Sequence, residues 1–172
     1  MYSLNVPVPG AVQRLAAELH PRLTAFETVR ERYTLVVKRL GDAGEPTAAT
    51  ALPRLREQLR GPLADVAPFD ARITGIDYFE RPTRGTGPVV YLAVDSPALA
   101  ALHERLCNEF DPIDGLEGED YVPHVTLARG GSVADAEALA ALDVEETTWT
   151  VRKLDLWTTE FRESAATIRL SG

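Results

Sequence analysis

The chain has 172 residues, of which 45% are hydrophobic and 26% charged, the composition of an ordinary globular protein long enough to bury a core of its own. With 12 Gly and 12 Pro it is neither collagen-like nor low-complexity. Its 18 basic and 26 acidic residues leave a net charge of −8, which excludes an extensive nucleic-acid surface and confines any polyanion to a small local site.

A single Cys107 allows no intrachain disulfide and no cysteine-based zinc cage. With no secretory leader in view, it fits a reducing cytoplasm. Apolar runs such as Val89–Val94 fall far short of the roughly 18 residues of a membrane span, so a soluble, monomeric, cytoplasmic protein is expected. The basic residues are 16 Arg with only Lys38 and Lys153. That bias fits a GC-rich genome or a salt-adapted protein and identifies no reaction.

In chain order, Ser3–Val8 reads as a short strand, and Pro9-Gly10 opens a helix to Leu19 with Val12, Leu15, Ala16 and Leu19 at helical spacing. After a loop, Arg32–Leu40 is a β-type run closed by Gly41-Asp42. A helix carrying Leu52, Leu55 and Leu59 follows, then the alternating strand Phe69–Phe79. The order then repeats: strand Val89–Val94, a helix capped by Ser96-Pro97 and running to Phe110, strand Tyr121–Arg129, helix Val133–Leu142 and strand Trp149–Trp157. A last strand, Ala166–Leu170, lies outside the repeat.

The expectation is one α+β domain over residues 1–172. It is bilobal, with two pseudo-two-fold-related β-α-β-α-β repeats, at about 1–80 and 88–160, whose sheets face a central cleft with helices outside. Side chains alternate along a strand, so Leu4 and Val6 pack under helices while Ser3 and Asn5 face the cleft. Tyr91 faces it from the matching strand. The same parity puts Arg32 beside Thr34 and His124 beside Thr126, and sends Arg129 to the opposite face.

The run Pro123-His124-Val125-Thr126-Leu127-Ala128-Arg129 resembles the second signature of the two-histidine phosphoesterase superfamily, and within it the 2′-5′ RNA ligase-like family. The resemblance extends to Pro9 after the first strand, to Ala-Leu-His-Glu-Arg-Leu in the helix Leu99–Leu106, and to Trp-Thr-Thr-Glu in the strand Leu154–Phe161. It implies two H-x-[S/T] motifs facing each other across the cleft and exchanging protons at a phosphodiester without metal or cofactor. A histidine near pKa 6.5 serves as acid or base, and the hydroxyls steady the nonbridging oxygens.

The first motif departs from that pattern. It reads Arg32-Tyr33-Thr34, and arginine binds charge but does not exchange protons at neutral pH. The strand also has two more residues before Gly41 than the family pattern. His124 and Thr126 are therefore the expected catalytic residues, and Arg32, Thr34, Asn5 and Tyr91 the expected substrate-binding ones. Three readings are open: a weak phosphodiesterase acting on RNA termini or a nucleotide cyclic phosphate, an inactive protein that binds a nucleotide or RNA end, or a domain whose cleft is vestigial and whose role lies in partner contacts.

Three further features read as structural. His20 and His103 belong to helices, the loop Arg81–Gly87 reads as a solvated hairpin, and the acidic run Glu109–Asp120 lacks the glycine-centred ligand pattern of a calcium loop.

Overall fold

The structure is a computed structural model that describes residues 1–41 and 48–172; the expected turn at Gly41-Asp42 lies partly outside them. It is an α+β fold built on two antiparallel sheets. One has the order β3-β1-β8-β9 and the other β2-β6-β5-β4-β7. The strands are β1 (Tyr2–Val6), β2 (Thr28–Val29), β3 (Leu35–Gly41), β4 (Phe69–Phe79), β5 (Val89–Asp95), β6 (His124–Arg129), β7 (Thr147–Val151), β8 (Lys153–Thr158) and β9 (Glu163–Arg169).

The helices are α1 (Gly10–Leu19), α2 (Ala48–Leu63), α3 (Pro97–Cys107) and α4 (Val133–Ala140). Helix α1 buries Val12, Ala16 and Leu19, the stripe that its helical spacing dictates. Helix α3 starts where the sequence places it. Ser96 Oγ accepts from the Leu99 amide at 3.3 Å, with Pro97 in the first turn, a cap worth about 1 kcal/mol. Helix α3 packs on β3 and β4, and α4 on β4 and β5. A single apolar core joins both sheets, running through Leu4, Val37, Leu92, Val125 and Leu154. No helix among the described residues is long and apolar enough to cross a membrane.

The sheets do not follow the halves of the chain. Strand β4, from the first half, forms a hairpin with β5 and also pairs β7. Strands β8 and β9, from the end, join β1. The run expected as one strand over Trp149–Trp157 is therefore two, broken at Arg152, with β7 and β8 in different sheets. The expected β3 strand also starts later, at Leu35, which leaves Arg32 and Thr34 ahead of it.

Strand register decides which side chains reach the cleft. Five residues of β1 face seven of β3, and the two extra residues are taken up by register shifts at Tyr2/Ser3 and Leu4/Asn5. These are β-bulges, each of which places one unpaired residue in the strand and reverses the parity beyond it. One such shift also lies between β5 and β6, where Val90 pairs Ala128 and Tyr91 pairs Thr126.

Candidate functional site

His124 opens β6 and is half-buried. Its Nδ1 lies 2.6 Å from the carbonyl oxygen of Val122. A carbonyl only accepts, so Nδ1 carries the proton and Nε2 keeps its lone pair. The ring is fixed laterally by Phe79, edge-on at 5.3 Å between centroids, and by Tyr91 at 5.1 Å. Burial lowers the His124 pKa from its ordinary value, the Arg39 and Arg129 guanidiniums lower it further, and the Val122 bond opposes them. The imidazole is accordingly neutral at neutral pH and presents a base. Burial, assisted by Asp77, pushes the Tyr91 phenol up to about 12, so it stays a neutral hydroxyl.

Beside His124 lies a recess of about 290 Å³, lined by Val36 and Arg39 of β3, by Arg129 of β6 and by Arg81 and Arg84 of the β4–β5 loop. The loop is pinned over the recess. Thr83 Oγ1 donates to Gly115 O at 2.7 Å and Arg129 Nη1 donates to Arg84 O at 3.1 Å. Asp120 also lines the recess, but the arginines dominate its charge. Arg129 Nε is buried with no hydrogen-bond partner among the described residues, a donor whose desolvation they leave unoffset.

The β3 wall is held from behind by a buried ion pair. Lys38 Nζ meets Glu117 Oε2, with side chains 0% and 1% exposed, and Glu117 also accepts from the amides of Arg39 at 2.8 Å and Ile113 at 3.1 Å. Burial alone raises the Glu117 carboxyl. The Lys38 ammonium and the two amides outweigh it and hold the carboxyl below its ordinary value. His103 is buried behind the same wall. Its Nδ1 donates to Val37 O at 2.7 Å and its Nε2 accepts from the Gly118 amide at 2.9 Å, with Tyr121 stacked on the ring at 3.8 Å. Val37 is the unpaired residue of a bulge, so His103 supplies the donor its carbonyl lacks.

A family model described as the 2′-5′ RNA ligase superfamily matches residues 34–162. The chain belongs to this superfamily. Its fold also matches solved structures over nearly their whole length. TT0787 of Thermus thermophilus is 21% identical with a TM-score of 0.62, over 99% of this chain and 98% of that one. E. coli LigT complexed with NADP+ is 17% identical with a TM-score of 0.62, over 99% and 97%. LigT complexed with 3′-AMP is 14% identical with a TM-score of 0.60, over 99% and 94%. At these identities the likeness is one of fold. No curated protein sequence matches the chain.

Set in the superfamily fold, the six residues expected from sequence divide into two groups. His124 and Tyr91 are in ring contact, and Thr126 follows on β6, paired with Tyr91. Asn5, Arg32 and Thr34 line a different recess of about 320 Å³, together with Asp155 and Trp157. Arg32 and His124 share neither of these recesses; the Arg32 guanidinium instead donates to Arg162 O at 2.9 Å. Parity holds only within a strand, and Arg32 and Thr34 precede theirs.

Sequence reasoning missed Arg39 and Arg129, and for one reason: each lies beyond a bulge that reverses its face. The two extra residues before Gly41 were the available signal for the first. The hairpin loop is a wall of the His124 recess and not only a solvated turn. Likewise the acidic run is anchored through Glu117 and not fully solvated.

Proposed function

We propose that the His124 recess binds a phosphate group of a nucleotide or RNA terminus, and that His124 is its only proton-transfer residue. The carrying observation is the convergence of Arg39, Arg81, Arg84 and Arg129 on the recess beside a neutral, oriented imidazole with a free Nε2. Guanidiniums match phosphate oxygens in planar, paired hydrogen bonds. Against a net charge of −8, such a local field is a site and not a general surface property. The LigT structures with 3′-AMP and NADP+ support the same ligand class.

The chemistry available is one-sided. In hydrolysis of a 2′,3′-cyclic phosphate, water attacks phosphorus as a ribose oxygen leaves, so one group takes a proton and another gives one. His124 Nε2 serves one of these roles, and the arginines steady the charge that builds on the nonbridging oxygens. The partner position is apolar. Four residues before Pro9 and Pro97 stand Asn5 and Ala93; Ala93 pairs His124, and Asn5 pairs Val36. Val36 thus matches His124 in the strand pairing, and its isopropyl group exchanges no proton.

The reading is therefore of a protein that binds RNA ends or nucleotides, works as a cytoplasmic monomer, and opens a cyclic phosphate roughly 10²–10⁴-fold below a two-histidine site, the worth of one proton-transfer group. Calorimetric titration with a mononucleotide 2′- or 3′-phosphate at low salt tests it, alongside turnover of a 2′,3′-cyclic nucleotide with His124→Ala as control. Expected are binding that weakens with salt and slow turnover that His124→Ala abolishes. Absence of any phosphate affinity at low salt overturns the reading.

A further inference from the structure

A second concentration of arginine lies outside the His124 recess. Arg30, Arg32 and Arg162 line a groove of about 730 Å³ between β2 and the β8–β9 turn, with Trp157 and Phe161 as its aromatic members. Among the described residues none of these three arginines has an ion-pair partner, and a single carboxylate, Glu31, shares the groove. The crowding shows at Arg30, whose pKa is lowered by burial and lowered further by the neighbouring Arg129 and Arg162. Arg129 belongs to the His124 recess, so the two arginine groups are electrostatically continuous.

Other features of the groove also point to a ligand. Phe161 is 65% exposed on the turn, so the face of its ring is open to a stacking base. Next to it Arg162 takes a positive φ of 52°, a conformation rare for a side-chain-bearing residue, and Arg32 holds its carbonyl there. The recess adjoining the groove shares Glu31, Arg32, Thr34 and Trp157 with it and adds Asp155, and in its lining Asn5, 3% exposed, keeps a buried Oδ1 with no partner among the described residues. Cations without counter-ions, exposed or half-exposed aromatic rings and an orphan acceptor are what the phosphates, bases and donor groups of a single strand satisfy together.

We propose that this groove carries the nucleotides adjoining the terminal phosphate, so that the ligand of the protein is a single-stranded RNA end and not a free mononucleotide. The inference rests on the His124 recess being the phosphate site. Phosphates run along Arg129, Arg30 and Arg162, and a base stacks on Phe161.

The test compares uridine 3′-monophosphate with a short single-stranded oligouridylate ending in a 3′-phosphate, by titration at low salt. The oligonucleotide should bind at least roughly 10-fold tighter, the scale of one stacked base with its phosphate contact. Phe161→Ala and Arg162→Gln should each remove most of that advantage and leave mononucleotide binding unchanged, while Arg39→Gln weakens both ligands. Equal affinity of the wild type for the two ligands overturns the groove and leaves the phosphate recess standing, as does equal weakening of both ligands by Phe161→Ala. Oligonucleotide binding that is insensitive to Arg39→Gln, with no mononucleotide binding at all, overturns the recess instead.

Discussion

One strand pair from each sheet, β1–β3 and β5–β6, is built on the same plan and delivers different chemistry. Opposite β5, the sequence His124-Val125-Thr126 meets Ala93, Leu92 and Tyr91 one for one, and only beyond Thr126 does the register slip. Opposite β1, the slip begins at once, with two extra residues in the space of five. On one side an imidazole and a hydroxyl sit two residues apart in regular register. On the other, Val36 and Arg39 face the recess, and the residues that look like the motif, Arg32 and Thr34, lie ahead of the strand. A bulge inserted beside a functional position re-aims every side chain beyond it. The difference between the two pairs is one of register as much as of residue type.

The strongest way to break the comparison is to install an imidazole on β3 at the position that matches His124. If Val36 is the counterpart of His124, Val36→His should raise turnover of a 2′,3′-cyclic phosphate by up to ~10²–10⁴-fold, and by less if the ring sits about 1 Å off line. Arg32→His should give no comparable gain, because position 32 lines another recess. Steady-state rates of the two variants decide the matter. A gain in Arg32→His alone would return the first motif to Arg32-Tyr33-Thr34.

Next in size is the buried ion pair behind β3, which has no counterpart at β6 among the described residues. Glu117→Ala leaves the fully buried Lys38 ammonium with backbone carbonyls alone and strips an acceptor from the Arg39 and Ile113 amides. Loss of one partner of a buried pair costs about 3–5 kcal/mol. Urea denaturation should show that loss, whereas Thr126→Val on β6 should stay near ~1 kcal/mol, one net hydrogen bond at most. Equal effects of the two variants would mean that the two walls are braced alike.

Much of the fold is legible in the chain. The Ser96-Pro97 cap, the α1 stripe and the alternating β4 strand announce themselves through short-range chemistry, and His124-x-Thr126 stands in regular register, where simple parity applies. What escapes reading depends on long-range pairing. No local pattern says that Val37 or Leu40 is surplus against a strand more than thirty residues away, or that Arg152 divides a β-rich run between two sheets. Buried Lys38 and Glu117 are hidden for the same reason, since each looks solvated until its partner arrives. Arg39 and Arg129, which line the His124 recess, are hidden by that blindness: parity, the tool that finds cleft residues, inverts at each bulge.

A smaller effect sharpens the electrostatic half of the comparison. Arg39→Gln removes a guanidinium from the β3 wall while the backbone bond from its amide to Glu117 remains possible. A hydrogen bond to a charged group is worth about 1.5–3 kcal/mol, so affinity for a mononucleotide 3′-phosphate should fall by about 10–150-fold. The salt dependence of binding should flatten with it. Arg129→Gln should act similarly from the β6 side, and isothermal titration of both at two salt concentrations tests whether the walls contribute equally.

The smallest expected effect separates the histidines of the two walls. His103 holds the bulge carbonyl of Val37 on the β3 side, and His124 faces the recess on the β6 side. Burial lowers the pKa of each from the ordinary 6.5. A histidine with a lowered folded value binds a proton more readily when unfolded, so stability is fully present above pH 6.5 and is lost as pH falls through the folded value, by at most about 1.4 kcal/mol per pH unit for each group. The loss should be structural at His103, because protonating Nε2 turns an acceptor toward the Gly118 amide, 2.9 Å away, into a second donor. At His124 the new charge meets Arg39 and Arg129, and a bound phosphate relieves the repulsion. Urea midpoints between pH 7 and pH 5 should therefore fall less steeply in His103→Gln than in the wild type, with or without phosphate. The part of the slope due to His124 should be reduced when phosphate is present. A wild-type slope that phosphate leaves unchanged would mean that His124 does not titrate against the recess, and the electrostatic link between the imidazole and the two arginines would fail.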